Sequence, residues 1–225
     1  MKDVVGNSLR IAGESIRANV AAIVVLWLLA LVLVLSYFAF PLVPRLLSPL
    51  VEFQRQGGCL AAAMNRIVFS AVLPFVLQIL IAAIRPRRPV LVLSAQIVWC
   101  AIWGMLVDAF YTVLDLWFGS GSDLGTLLWK TGLNQFVWTA LVIAPANACF
   151  YFWIARDFSL RRTRLEWPAG TWSNVVLPNL ISNWCVWIPV NLVIFIFPLP
   201  LQIQLSGLVG AFWTLLCLQI GARSR

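Results

Sequence analysis

The chain contains no histidine. Its absence removes the commonest metal ligand, haem ligand and general base, and argues against haem-based electron transfer and histidine-dependent catalysis. Charge is scarce as well. Only 11% of the 225 residues are Asp, Glu, Lys or Arg, against about 25% in an ordinary soluble domain. The five cysteines, Cys59, Cys100, Cys149, Cys185 and Cys217, form no Cys-x-x-Cys pair, and four of them lie inside apolar stretches. They read as small buried hydrophobes, with neither a disulfide framework nor a zinc site. No nucleophile–base pair stands out either, so no enzyme is expected, and no cofactor or metal.

Apolar residues fill the space that charge leaves: 62% of the chain, for a mean hydropathy of +0.93. Four stretches, 20–40, 67–84, 90–118 and 133–155, each hold 18 or more mostly apolar residues, the length needed to cross a hydrocarbon core of roughly 30 Å. A further apolar region, 175–220, has room for two more crossings. The predicted fold class is an all-α polytopic transmembrane helical bundle of five to six hydrophobic helices, preceded by an N-terminal amphipathic helix. In residues 1–19, Val5, Leu9, Ala12 and Ile16 recur at helical spacing while Lys2, Arg10, Glu14 and Arg17 take other faces. This pattern suits a helix lying on the membrane surface. A cleaved signal peptide is not expected, because the apolar stretch that follows is too long for a signal sequence. A mitochondrial transit peptide is the rival, and Asp3 and Glu14 count against it.

The net charge of +8 does not call for nucleic acid, because the basic residues sit in short clusters between apolar spans. With six crossings, twelve of the 16 Lys and Arg residues fall on one side, in 1–19, at Arg85, Arg87 and Arg88, at Arg156, Arg161, Arg162 and Arg164, and in the basic tail 222–225. Arg45, Arg55, Arg66 and Lys130 fall on the other. By the positive-inside rule this asymmetry places both termini on the same side, with the Arg161–Arg162–Arg164 cluster against anionic lipid. Residues 41–66, with Pro41, Pro44, Pro49 and the Gly57–Gly58 pair, read as a loop with room for a short helix at 61–66. The fifth crossing contains Pro178 and Pro189 and is expected to be broken or partly inserted.

Several polar groups fall at membrane depth. Asp108, Tyr111 and Asp115 share one helix face. A carboxylate in hydrocarbon costs about 2.5–3.5 kcal/mol on insertion scales, so this face is either a pore lining that selects cations or moves protons, or lies near the headgroups at the end of an overlong span. Lys130, Asn134 and Gln135 open the next span, either as a polar ring at a pore mouth, with Lys130 meeting Asp108 or Asp115, or as a snorkelling lysine and a polar helix start. Asn147, Asn179, Asn183 and Asn191 suit hydrogen bonds between helices, or a polar lumen. The pore-lining candidates are Asp108, Tyr111, Asp115, Lys130, Asn134, Gln135 and Asn191. Among the twelve tryptophans, Trp117, Trp129, Trp153, Trp167, Trp172 and Trp184 fall near the expected interfaces, where such rings settle. Ser206 with Gly210, and Gly207 with Ala211, allow close helix packing, internal or between subunits.

The order of Gly104, Asp108, Phe110–Tyr111 and Leu114, then Lys130–Thr131 and Asn134–Gln135, then Trp187, Asn191, Phe195, Pro198 or Pro200, and Trp213 resembles the family of peroxisomal and mitochondrial inner-membrane proteins named after the Mpv-seventeen protein and the twenty-two-kilodalton peroxisomal membrane protein. The resemblance covers 66–221. Asp108 stands where the family has His, Asn134 where it has Asp, and Ile194 where it has Asn before Phe195; the Arg expected near Gln202 is missing. The resemblance implies a family-like transmembrane domain over 67–221, with 20–40 as an extra N-terminal span. It also implies pore activity or small-metabolite permeation in an organelle inner membrane, mitochondrial first, with another organelle or a bacterial plasma membrane left open. A non-catalytic structural subunit of a larger membrane complex is the alternative. The expected partners are membrane lipids and either further copies of the chain or other membrane subunits.

Overall fold

Proline disturbs helices more than any other residue, and the chain has twelve. All regular structure among the described residues is nevertheless helical. The structure is a computed structural model that describes residues 27–80, 86–167 and 176–223, with isolated positions 13, 17, 20, 24 and 25. The surface helix expected at 1–19, Arg85, Trp172, the basic tail at 222–225 and the Cys217 side chain fall wholly or largely outside the described residues. Seven helices are described: α1 Trp27–Ala39, α2 Leu42–Leu80, α3 Pro89–Phe118, α4 Leu124–Ala155, α5 Leu160–Leu165, α6 Leu177–Ile194 and α7 Leu199–Arg223. Three of them, α2, α3 and α4, are long and apolar enough to cross a membrane, consistent with an integral membrane protein.

The largest departure from expectation is residues 41–66, read above as a loop. They form the first two thirds of α2, which runs on through the apolar stretch expected to begin at 67. Its prolines are absorbed in two ways. Pro44 stands in the first turn, where an N–H would have no helical partner anyway. Pro49 removes the N–H that the Arg45 carbonyl would have received, and the Ser48 hydroxyl donates to that carbonyl instead, at 2.7 Å. The Gly57–Gly58 pair does break the helix locally. Gly58 adopts φ 51°, ψ −130°, a left-handed conformation that glycine tolerates best, and the Gln54 amide donates to its carbonyl at 3.0 Å.

Three stretches widen to π geometry: Ile67–Val72 in α2, Leu133–Ile143 in α4, and Val176 at the start of α6. Each ends two residues before a proline: Pro74, Pro145 and Pro178. The ring of a proline crowds the carbonyl four residues back. Here the N–H just before each of the first two prolines reaches one residue further, Leu73 to the Val68 carbonyl and Ala144 to that of Thr139. The wider turn keeps the helix intact and shifts which side chains point inward.

α2 and α3 run antiparallel. Gln54 meets Asp108 at one level, and Gly104 packs against Ala62 and Ala63 at the next. α3 and α4 are antiparallel as well, with contacts from Asp115–Lys130 through Phe110–Trp138 to Trp99–Asn147. α7 lies along α2, where Gly207 leaves room for Asn65 and Gly210 leaves room for Arg66 and Ser70. The small-residue pairs of α7 therefore serve packing within the chain. α6 closes the bundle through Val186, Trp187, Val190 and Ile194 against α3 and α7, and through Leu180 against Ala140, Ala144 and Ala148 of α4. At one end Arg87 and Arg162 flank Asp157, and Arg156 pairs with Glu166 at 3.0 Å. The loops expected to share the positive side thus meet.

The bundle has an apolar exterior and buries polar side chains alongside its apolar core. Large apolar side chains face outward, Val98, Leu116 and Leu141 being 61%, 78% and 66% exposed. Gln78, Gln96, Lys130, Gln135 and Asn191 are among the most deeply buried side chains. An apolar exterior this continuous suits lipid.

A Cβ on Gly104 would lie 2.5 Å from the Ala62 carbonyl oxygen and 2.7 Å from Ala63 Cα, both backbone atoms. Gly104→Val is therefore expected to push α3 off α2 and to cost about 1–3 kcal/mol or more, read as a lowered thermal midpoint in detergent, with Gly104→Ala intermediate. Wild-type stability in Gly104→Val would contradict this packing.

Candidate functional site

The widened turn in α4 brings Asn134, Gln135 and Thr139 to the inside of the bundle, all buried. α2 adds Arg66 and Ser70, α3 adds Trp103 and Tyr111, α6 adds Asn183 and Trp187, and α7 adds Gly210, Trp213 and Thr214. Together they line a cavity with about 670 Å³ of empty space, its open side included. Two of the lining residues, Cys100 and Trp103, stand midway along the 30 residues of α3, so the cavity lies near the middle of the bundle.

Arg66 was expected outside the spans, at the end of a loop with room for a short helix at 61–66. It lies inside instead, since the loop is helix and α7 has no side chain at Gly210 to exclude it. Its Nη2 donates to Ser206 Oγ at 3.2 Å, and that hydroxyl donates in turn to the Ile203 carbonyl at 2.8 Å. The guanidinium stands 6.0 Å from the centre of the Trp187 ring, at the outer limit of a cation–π contact. None of the ion pairs among the described residues involves Arg66. The tryptophans that line the cavity, Trp99, Trp103, Trp187 and Trp213, are outside the six expected at the interfaces, and no role in a cavity was read for them from the sequence. Trp117 and Trp129 are well exposed, whereas Trp184 turns inward and donates to the Gln135 carbonyl at 3.0 Å.

The seven pore-lining candidates separate into groups. Tyr111, Asn134 and Gln135 border the cavity, and the Tyr111 hydroxyl hydrogen-bonds with the Asn134 side chain. Asp108, Asp115, Lys130 and Asn191 stand outside that lining. Asp108 accepts from Gln54 Nε2 at 3.0 Å, Gln54 Oε1 accepts from Gln204 Nε2 at 3.0 Å, and Gln204 Oε1 accepts from Asn65. This side-chain chain ties α3, α2 and α7 together. Lys130 Nζ lies 2.9 Å from Asp115 Oδ1, which joins the start of α4 to the end of α3. Asn191 is fully buried, and both polar atoms of its amide lack a hydrogen-bond partner among the described residues. Asn191 therefore pairs with neither Asn134 nor Gln135.

Among the groups that line the cavity, Gln135 Oε1, Asn183 Oδ1, Trp103 Nε1 and Trp213 Nε1 have no partner among the described residues. Buried polar atoms are nearly always paired in folded proteins, so these four leave unmet hydrogen bonds beside the cavity, as do the Gln96 and Asn191 amides away from it. No cluster of three or more His, Cys, Asp or Glu side chains that could hold a metal occurs among the described residues. Just outside the membrane-length segments, Asp123 caps α4 by accepting from the Thr126 amide at 3.0 Å. Its hydrogen bonds with the Thr126 hydroxyl and amide hold its carboxyl below the usual carboxylate range.

No protein-family model matches the chain, and no curated protein or solved structure matches it.

The Lys130–Asp115 pair gives a direct test of this geometry. Removing one partner of a buried pair costs roughly 3–5 kcal/mol, because the other charge is stranded. The Lys130 side chain is 1% exposed and that of Asp115 25%. Asp115→Asn is therefore expected to destabilise more than Lys130→Met, and the double variant to recover much of the loss. Denaturation of the four proteins in a mild detergent checks it. Additive losses would mean that the two charges do not interact.

Proposed function

We propose that the chain is a small pore or metabolite-permeation protein of the family it resembles, with five or six hydrophobic helices in the membrane. The observation that carries the proposal is the pairing of an apolar exterior with a cavity near mid-bundle whose largely apolar wall carries Arg66 and several amides and hydroxyls. Burying an unpaired amide or hydroxyl away from water costs about 1–3 kcal/mol by mutational measures. A bundle built only for packing gains nothing from several such groups around one empty space. A path for a hydrated or polar solute does use them, because they replace part of its water shell. The helix ends fit a membrane path as well. Cations gather at the end where Arg87, Arg156 and Arg162 meet, as the positive-inside rule expects. Both chain termini lie on that same side of the membrane, and an organelle inner membrane is the proposed setting.

Reconstitution into liposomes, with flux of small polar solutes as the readout, tests the proposal. Wild type is expected to raise permeability. Asn134→Leu and Gln135→Leu together should lower it severalfold while the bundle still folds, since leucine suits the apolar setting and blocks water. Wild-type liposomes no leakier than empty ones, from protein that co-purifies with foreign subunits, would favour the structural-subunit alternative.

A further inference from the structure

We propose that the cavity binds a small anion, a free carboxylate or phosphate compound, with the Arg66 guanidinium as its anchor. This rests on the permeation reading of the same cavity and names its solute class. Of the residues that line the cavity, Arg66 carries the one formal charge at neutral pH, and no carboxylate among the described residues pairs with it. A charge at the centre of a bilayer-length bundle is costly and is ordinarily paired or placed for function. A guanidinium has five N–H donors in a planar fork. Ser206 accepts from one nitrogen, Nη2. The other terminal nitrogen, Nη1, lies over Gly210, where a Cβ would collide with it and with Ser70 Oγ. The missing side chain therefore keeps the fork at the wall of the cavity. Two indole N–H groups of the same cavity, Trp103 and Trp213, also lack acceptors among the described residues, and Trp213 is 8% exposed.

A cation with unspent donors, two further donors and no negative charge is complementary to an anion, and planar oxyanions meet the arginine fork with two hydrogen bonds. The carboxylates of α3 both stand outside the lining, Asp108 held by Gln54 and Asp115 by Lys130. An acidic lumen, one of the two sequence readings of Asp108 and Asp115, gives way to a positive one. The acceptor atoms Gln135 Oε1 and Asn183 Oδ1 leave room for a hydroxyl, an ammonium or water on the bound molecule. The position of the cavity, midway along α3, favours a free solute over a lipid headgroup.

The test titrates the full-length protein in detergent with potassium succinate and with potassium phosphate. Ionic strength is held constant with potassium chloride, and the neutral diamide of succinate serves as control. A saturable rise in melting temperature with succinate, phosphate or both, absent with the diamide, is expected; the anion that acts identifies the group recognised. Arg66→Gln should weaken the response about tenfold or more, the scale of one lost charged hydrogen bond. Ser70→Asp sets a carboxylate four residues from Arg66, within reach on the same helix. It should raise the melting temperature without ligand and abolish the anion response, so it decides the matter even if Arg66→Gln fails to fold. No saturable response to either anion overturns the proposal, as does an equal response to the diamide or one that survives in Ser70→Asp. Solute flux measured in parallel separates the two readings. Binding without flux leaves the anion site and removes the pore. Flux with no anion response leaves the pore and removes the anion site.

Discussion

Hydrocarbon offers no hydrogen bonds, so each polar group of a chain this apolar must find its partner inside the bundle. The side-chain chain Asp108–Gln54–Gln204–Asn65 is one answer. It replaces water with three amides and fixes the register of α2 against α3 and α7 at once. The Lys130–Asp115 pair is another, at the junction of α3 and α4. Where pairing is complete the helices are locked. Around Gln135, Asn183 and the indoles of Trp103 and Trp213 pairing is incomplete, and there the helices leave space; at Asn191 it is incomplete within close packing.

Proline links the backbone to that space. Pro74 and Pro145 each follow a π-helical stretch. The extra residue per turn rotates the preceding side chains, and those stretches supply Ser70, Asn134, Gln135 and Thr139 to the cavity. π turns recur at functional sites because they aim side chains that a regular helix would point elsewhere. Close helix approach at Gly104, Gly207 and Gly210 brings the aimed groups together. The cavity thus results from two backbone devices, widened turns and missing Cβ atoms, acting on an ordinary antiparallel bundle.

Much of this was legible in the sequence. Length and hydropathy located α3 within one residue of its start and placed the apolar parts of α2 and α4. The spacing of Asp108, Tyr111 and Asp115 put them on α3, and the polar start of α4 was recognised. Residues 41–66 were misread because proline and paired glycine ordinarily mark loops. Whether a neighbouring hydroxyl, here Ser48, can take over a carbonyl left by proline depends on three-dimensional geometry. Arg66 was lost with that loop. The one available signal was its place in the run from Cys59 to Val76, where it is the lone charge among mostly small and apolar residues. Which tryptophans face lipid and which face the cavity could not be read from composition, since both settings favour the same amphipathic ring.

The central claim is that α4 turns a water-accessible face inward and a lipid face outward within two residues. Spin labels at Thr139→Cys and Leu141→Cys, in protein reconstituted into bilayers and otherwise free of cysteine, measure this directly by collision with oxygen, which concentrates in lipid, and with a water-soluble nickel chelate. Thr139 lines the cavity and Leu141 is 66% exposed on the exterior. The label at 141 should respond to oxygen and hardly to nickel, and the label at 139 should show the higher nickel-to-oxygen ratio. Equal ratios at both positions would mean that no polar cavity exists inside the bundle.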